Sequence, residues 1–78
     1  MAVGAYILIQ TDLGHAAAVA AEVRGLPGVS SADTVAGPYD VIARADVDTI
    51  DALGHFVVSQ VQAIDGVTRT LSCPIVAL

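Results

Sequence analysis

The sequence predicts an α+β fold in which two helices pack on one face of a four-stranded antiparallel sheet, in the order βαββαβ. Two observations predict it. First, Leu26-Pro27-Gly28-Val29 recurs as Ile64-Asp65-Gly66-Val67, and each copy follows an apolar helical pattern and precedes a strand pattern. Second, Val35-Ala36-Gly37-Pro38-Tyr39-Asp40-Val41-Ile42-Ala43-Arg44-Ala45 lies between the halves and reads as two strands joined by a Gly-Pro-Tyr-Asp turn. A doubled βαβ half around a central hairpin, with right-handed crossovers, puts both helices on the same face. That is a ferredoxin-like sandwich, in one domain spanning residues 1–78.

Each element has its own signal. Val3 to Gln10 alternates as a strand, with Val3, Ala5, Ile7 and Ile9 on one face and Gly4, Tyr6, Leu8 and Gln10 on the other. Both faces are largely apolar, so both call for cover. Thr11 or Asp12 offers a side-chain oxygen to cap a helix. Leu13, Ala16, Ala17, Ala20 and Val23 then form its apolar stripe, which Gly25 and Pro27-Gly28 end. Val29 to Ala36 and Asp40 to Val47 read as the hairpin strands, with Val41, Ala43 and Ala45 opposing Ile42, Arg44 and Asp46. Asp48 is placed to cap the second helix, and Asp51 suits its positive end. Ile50, Leu53, Val57, Val61 and Ile64 mark that helix's stripe. Val67 to Ala77 reads as the last strand. Pro74 makes it an edge strand or one broken near its end, because proline cannot donate to a ladder. With both helices on one face, the other apolar face is the natural dimer surface.

Composition points the same way. A chain of 78 residues buries only roughly 60–65% of its unfolded surface. Yet 55% of its residues are hydrophobic, more than one small core can hide. Eight acidic residues interrupt the apolar segments, and no run approaches the ~20 residues of a membrane span. A homo-oligomer is therefore expected. Met1-Ala2-Val3-Gly4 lacks the basic start and small-residue cleavage site of a secretory signal. Cys73 has no partner cysteine for a disulfide or a zinc site. A cytoplasmic location is expected. Arg24, Arg44 and Arg69 are the only basic side chains apart from histidine, against a net charge of −5. Nucleic-acid binders neutralise many phosphates with clustered Lys and Arg, so direct DNA or RNA binding is not expected.

The chain shows no nucleophile triad, phosphate loop or carboxylate pair. Asp51 and His55 are spaced i, i+4 on one helix face, and His15 stands alone. These are too few for a metal centre, so no metal, cofactor or catalytic residue is expected. Cys73 reads as a small buried hydrophobe.

The run Thr34 to Ala45 is similar to the Gly-x-Tyr-Asp hairpin of the Lrp/AsnC transcription regulators. Thr49-Ile50-Asp51-Ala52-Leu53-Gly54-His55-Phe56, Ile64-Asp65-Gly66-Val67 and Thr70-Leu71-Ser72 continue the likeness. It covers the chain from about Ala5 to Val76. The chain resembles the stand-alone form of their effector-binding half, the domain of regulation of amino-acid metabolism (RAM). The family's helix-turn-helix is missing, because the first strand begins at Val3. The resemblance implies dimers through sheet faces, assembled into tetramers, octamers or decamers. It implies a small effector, an amino acid, bound in clefts between dimers. By residue match the ligand contacts are Gly37, Pro38, Tyr39 and Asp40, with Thr70 and Ser72 opposite.

The chemistry suits that assignment. Asp40 can accept from a ligand amine, and backbone N–H groups near Gly37 can donate to its carboxylate. Thr70 and Ser72 share a strand face and carry hydroxyls that do either. The reading that follows is a sensing and oligomerisation module without DNA binding, which acts by co-assembling with a full-length Lrp/AsnC regulator. Two other readings stay open: a purely structural oligomeric scaffold, and a small dimeric α/β-barrel enzyme using His15 or His55.

Overall fold

A computed structural model describes residues 2–77; Met1, the first residue of the stretch read for a signal, and Leu78 lie outside the described residues. Strand β1 (Val3–Thr11) leads through a turn to helix α1 (Ala16–Arg24). Strands β2 (Val29–Thr34) and β3 (Val41–Val47) form the hairpin. Helix α2 (Ile50–Phe56) runs on into a π-helical segment, Val57–Val61, and strand β4 (Val67–Pro74) closes the chain. The sheet is antiparallel throughout, in the order β2-β3-β1-β4. The βαββαβ order and ferredoxin-like sandwich are those the sequence predicts.

The core lies between the helices and one face of the sheet. Ala5, Ile7 and Ile9 of β1, and Val41, Ala43 and Ala45 of β3, are fully buried there. They meet Val19, Ala20 and Val23 of α1, Leu53 of α2, and Val57 and Val61 of the π-helical segment. With Ala32 of β2, five alanines in the core let helix and sheet approach closely. The other face stays open. Tyr6 and Leu71 are each close to half exposed on it, and the β1–β3 and β1–β4 registers place Tyr6, Leu8, Ile42, Arg44, Leu71 and Cys73 together there.

The duplicated motif has a structural meaning. In each copy the valine N–H donates to the carbonyl three residues earlier, Val29 to Leu26 at 3.3 Å and Val67 to Ile64 at 3.2 Å. In each copy the glycine carbonyl accepts from the far end of another strand. Asp46 N–H donates to Gly28 at 2.9 Å, and Asp12 N–H donates to Gly66 at 2.8 Å. Gly28 sits at φ +87°, and a Cβ there would lie 2.8 Å from the Asp46 carbonyl oxygen. Both the left-handed backbone and the close approach require glycine.

Several boundaries differ from expectation. β2 ends at Thr34 and β3 begins at Val41, because residues 35–40 form a wider turn closed by Val35 N–H to the Asp40 carbonyl at 2.9 Å. β4 ends at Pro74, where the missing N–H stops the ladder; one more bond, Ile75 N–H to Gly4 carbonyl, follows at 2.8 Å. Thr49, not Asp48, caps α2, its hydroxyl accepting from Ala52 N–H at 3.0 Å. His15 rather than Thr11 or Asp12 stands at the start of α1, with no side-chain cap bond. Leu13 precedes α1 and is fully exposed, and Ile50 is exposed at the start of α2. Neither joins its predicted stripe. Cys73 is exposed rather than buried, because strand alternation turns it to the open face opposite Tyr6.

At the β2 edge, Arg24 Nε donates to the Ala32 carbonyl at 2.8 Å, which occupies an acceptor that edge pairing would otherwise use.

Urea unfolding tests this account. Ile7→Ala, at the buried centre of β1, is expected to lower stability by about 2–5 kcal/mol. Gly28→Ala is expected to cost more than about 1 kcal/mol through strain alone, while Thr49→Ala costs about 1 kcal/mol through the lost cap.

Candidate functional site

The turn between β2 and β3 is fixed to the end of β1 by three hydrogen bonds. Asp40 N–H donates to the Ile9 carbonyl at 2.9 Å. The Thr11 N–H donates to Asp40 Oδ2 at 2.8 Å. Gln10 Nε2 donates to the Pro38 carbonyl at 2.9 Å. The second of these meets a local need. The β1–β3 pairing ends at Ile9 and Val41, so the Thr11 N–H, on the same strand edge as the Ile9 carbonyl, has no β3 partner, and the Asp40 carboxylate accepts it instead. Asp40 therefore braces the turn, one of the two roles its residue type suggests.

Beneath this turn lies an apolar recess of about 300 Å³. Leu8 and Ile42 form its floor from the open face of the sheet, and Val35, Ala36, Gly37, Pro38 and Tyr39 form its wall. Gly37 has nothing within 4 Å of where a Cβ would stand, so its backbone is open to approach. Gly37 and Pro38 are exposed, and Tyr39 and Asp40 are half-buried.

Thr70 and Ser72 stand elsewhere. They pair with Ile9 and Ile7 of β1, so they share the helix-side face, the reverse of the face that carries the recess. Thr70 Oγ accepts from Gln62 Nε2 at 2.9 Å, just beyond the π-helical segment. Strand β1 separates β4 from the β3 end by two strand spacings, about 10 Å. One chain thus brings Gly37, Pro38, Tyr39 and Asp40 together and does not place Thr70 and Ser72 opposite them.

Sequence reasoning did not single out Leu8, Ile42, Gln10 and Thr11 as parts of this region. The signal was present, because strand alternation already put Leu8 and Ile42 on the open face beside the turn. Gln10, the polar end of an otherwise apolar strand face, was the other pointer.

Farther along the open face, Arg44 lies over the Tyr6 ring, 5.5 Å from its centroid, and 3.5 Å from Asp46 Oδ1. Its Nε is buried and has no hydrogen-bond partner among the described residues. Gly4 leaves space for it, since a Cβ there would lie 2.8 Å from the guanidinium.

His15 Nδ1 lies 3.2 Å from the Leu13 carbonyl, and its ring covers Gly66. His15 thus joins the turn before α1 to the turn before β4. Among the described residues, no three of His, Cys, Asp and Glu gather as a metal site. No helix among them is long and apolar enough to cross a membrane.

Replacing Asp40 tests its bracing role without any ligand. Asp40→Ala leaves the Thr11 N–H unpaired in part-buried surroundings, and urea unfolding is expected to show a loss of about 1–3 kcal/mol. Asp40→Asn keeps an acceptor oxygen and is expected to lose less.

Among known proteins, the Lrp/AsnC ligand binding domain model matches residues 4–77. A crystal structure of a Thermus thermophilus protein, TTHA0845, is 25% identical, with a TM-score of 0.90, over 97% of this chain and 95% of that one. Escherichia coli AsnC is 25% identical at a TM-score of 0.89, over 97% of this chain but only 52% of AsnC, so the chain spans about half of that regulator. The Neisseria meningitidis transcriptional regulator NMB0573, solved as its L-Met complex, is 26% identical at a TM-score of 0.85, over 96% of this chain and 50% of that one. No curated protein sequence matches. With the family model covering nearly every residue, the chain belongs to the Lrp/AsnC ligand-binding domain family.

Proposed function

We propose that this chain is an effector-binding and assembly module that holds an amino acid beside the β2–β3 turn, in a cleft completed by a second copy. The observation that carries the reading is the family match together with the recess beneath the turn. The likeness to a regulator solved with L-Met supports an amino acid as the effector class. The recess offers an apolar floor for a side chain, and the open backbone at Gly37 offers polar groups for the amino-acid head. Thr70 and Ser72 lie on the reverse face in the same chain, so in this reading they reach the ligand from another copy.

Dimers form in this reading through the open sheet faces. Tyr6, Leu8, Ile42 and Leu71 supply the apolar surface, and Arg44 supplies an unpartnered Nε at its centre. Dimers then meet at the turn, as tetramers, octamers or decamers. Three arginines on a chain of net charge −5 leave DNA contact to another protein, such as a full-length regulator that co-assembles with this one. One observation favours a scaffold without a ligand: the Asp40 carboxylate is already engaged by Thr11 N–H.

Thermal melting against each common amino acid at millimolar concentration separates these readings. A ligand that binds only the folded state adds RT ln(1 + [L]/Kd), about 2.7 kcal/mol at a hundredfold excess over Kd. One chemical class of amino acid is expected to raise Tm saturably, and Tyr39→Ala and Thr70→Val are each expected to weaken its binding about tenfold, or about 1.4 kcal/mol. No shift with any amino acid supports the scaffold. A shift that neither substitution weakens moves the site away from the turn and β4.

A further inference from the structure

The outer face of α2 carries features that the fold and the proposed effector site leave unused. Ile50 is 58% exposed and Val58 is 64% exposed. Ile50 opens α2 four residues before Gly54, and Val58 lies four residues after it, in the π-helical segment that continues α2; with Asp51 and His55 they line a shallow groove. Glycine inside a helix is less favourable than alanine, so a reason for it is sought in its surroundings. None exists among the described residues. Its backbone is ordinary helix, and nothing lies within 4 Å of where its Cβ would stand. Any side chain would fit the isolated subunit. What glycine uniquely permits at that point is close approach by another backbone.

We propose that α2, with the start of the π-helical segment, is a further self-association surface, besides the sheet face and the turn, on which the same helix of another copy crosses antiparallel at Gly54 about a two-fold axis. The sequence of the face is self-complementary for that crossing. Ile50 and Val58 are equidistant from Gly54, so Ile50 of each copy packs on Val58 of the other, with the two glycines at the axis. This is the pattern of an isologous contact, in which one patch serves both sides. The charges agree. Asp51 lies in the first turn of α2 and His55 in its last turn. Antiparallel crossing sets the acid of each helix beside the histidine of the other and opposes the two helix dipoles favourably.

This surface lies on the helix side of the sheet, away from the open face. Used together, the two surfaces link dimers into larger assemblies without occupying the recess beneath the turn.

The test is weight-average mass by analytical ultracentrifugation across a concentration series. Val58→Asp buries a carboxylate against Ile50 of the other copy, and Gly54→Leu blocks the crossing while favouring helix. Both positions are exposed in the subunit, so both variants are expected to keep the wild-type circular dichroism spectrum and a folded melting transition. The expected result is a lower mass than wild type at equal concentration for both, with association weakened tenfold or more. Wild-type mass for both variants at every concentration would overturn the proposal.

Discussion

One imbalance governs this molecule: both faces of its sheet are apolar, and its two short helices cover only one. Central strand β1 shows it most clearly. Ala5, Ile7 and Ile9 are fully buried beneath the helices, while Tyr6 is close to half exposed on the reverse. β3 repeats the pattern, with Val41, Ala43 and Ala45 inside and Ile42 and Arg44 partly open. Among the described residues, no further helix packs on the second face. Apolar surface left in water favours association at about 25 cal/mol per Å² removed, which gives the proposed dimer its driving force.

The same arrangement decides where a ligand site can form. The β2–β3 turn projects beyond the sheet end, and Asp40, Gln10 and the Ile9 carbonyl hold it in place. A turn held by side chains and backbone together presents Gly37 and Tyr39 in a defined position over Leu8 and Ile42. The recess is built from the open face that the dimer reading covers. Assembly and effector binding are therefore coupled in this reading, because a change at one alters the surface available to the other.

Much of the fold was legible because local and global signals agree. The repeated Gly-Val steps read as turns and are turns, and both glycine carbonyls accept from a neighbouring strand end. The alternation of β1 and β3 was legible because its period is fixed by the pleat. Helix ends were less so: Asp48 and Thr49 are both good caps, and only the backbone at Thr49 selects between them. Leu13 and Ile50 fit helical spacing but fall at or beyond the helix starts, where spacing no longer decides burial. The candidate site was half legible. The Gly37 to Asp40 cluster follows from chain continuity. The face occupied by Thr70 and Ser72 depends on the β1–β4 register, which no local pattern in β4 reveals.

Cys73 gives direct access to the covered-face claim, since its thiol is exposed on the open face beside Tyr6. The measurement is the rate at which a bulky maleimide modifies Cys73 as protein concentration is varied. A second copy seated on this face predicts slow modification at high concentration, with recovery on dilution. A rate independent of concentration, and as fast as in the urea-unfolded chain, would contradict the claim.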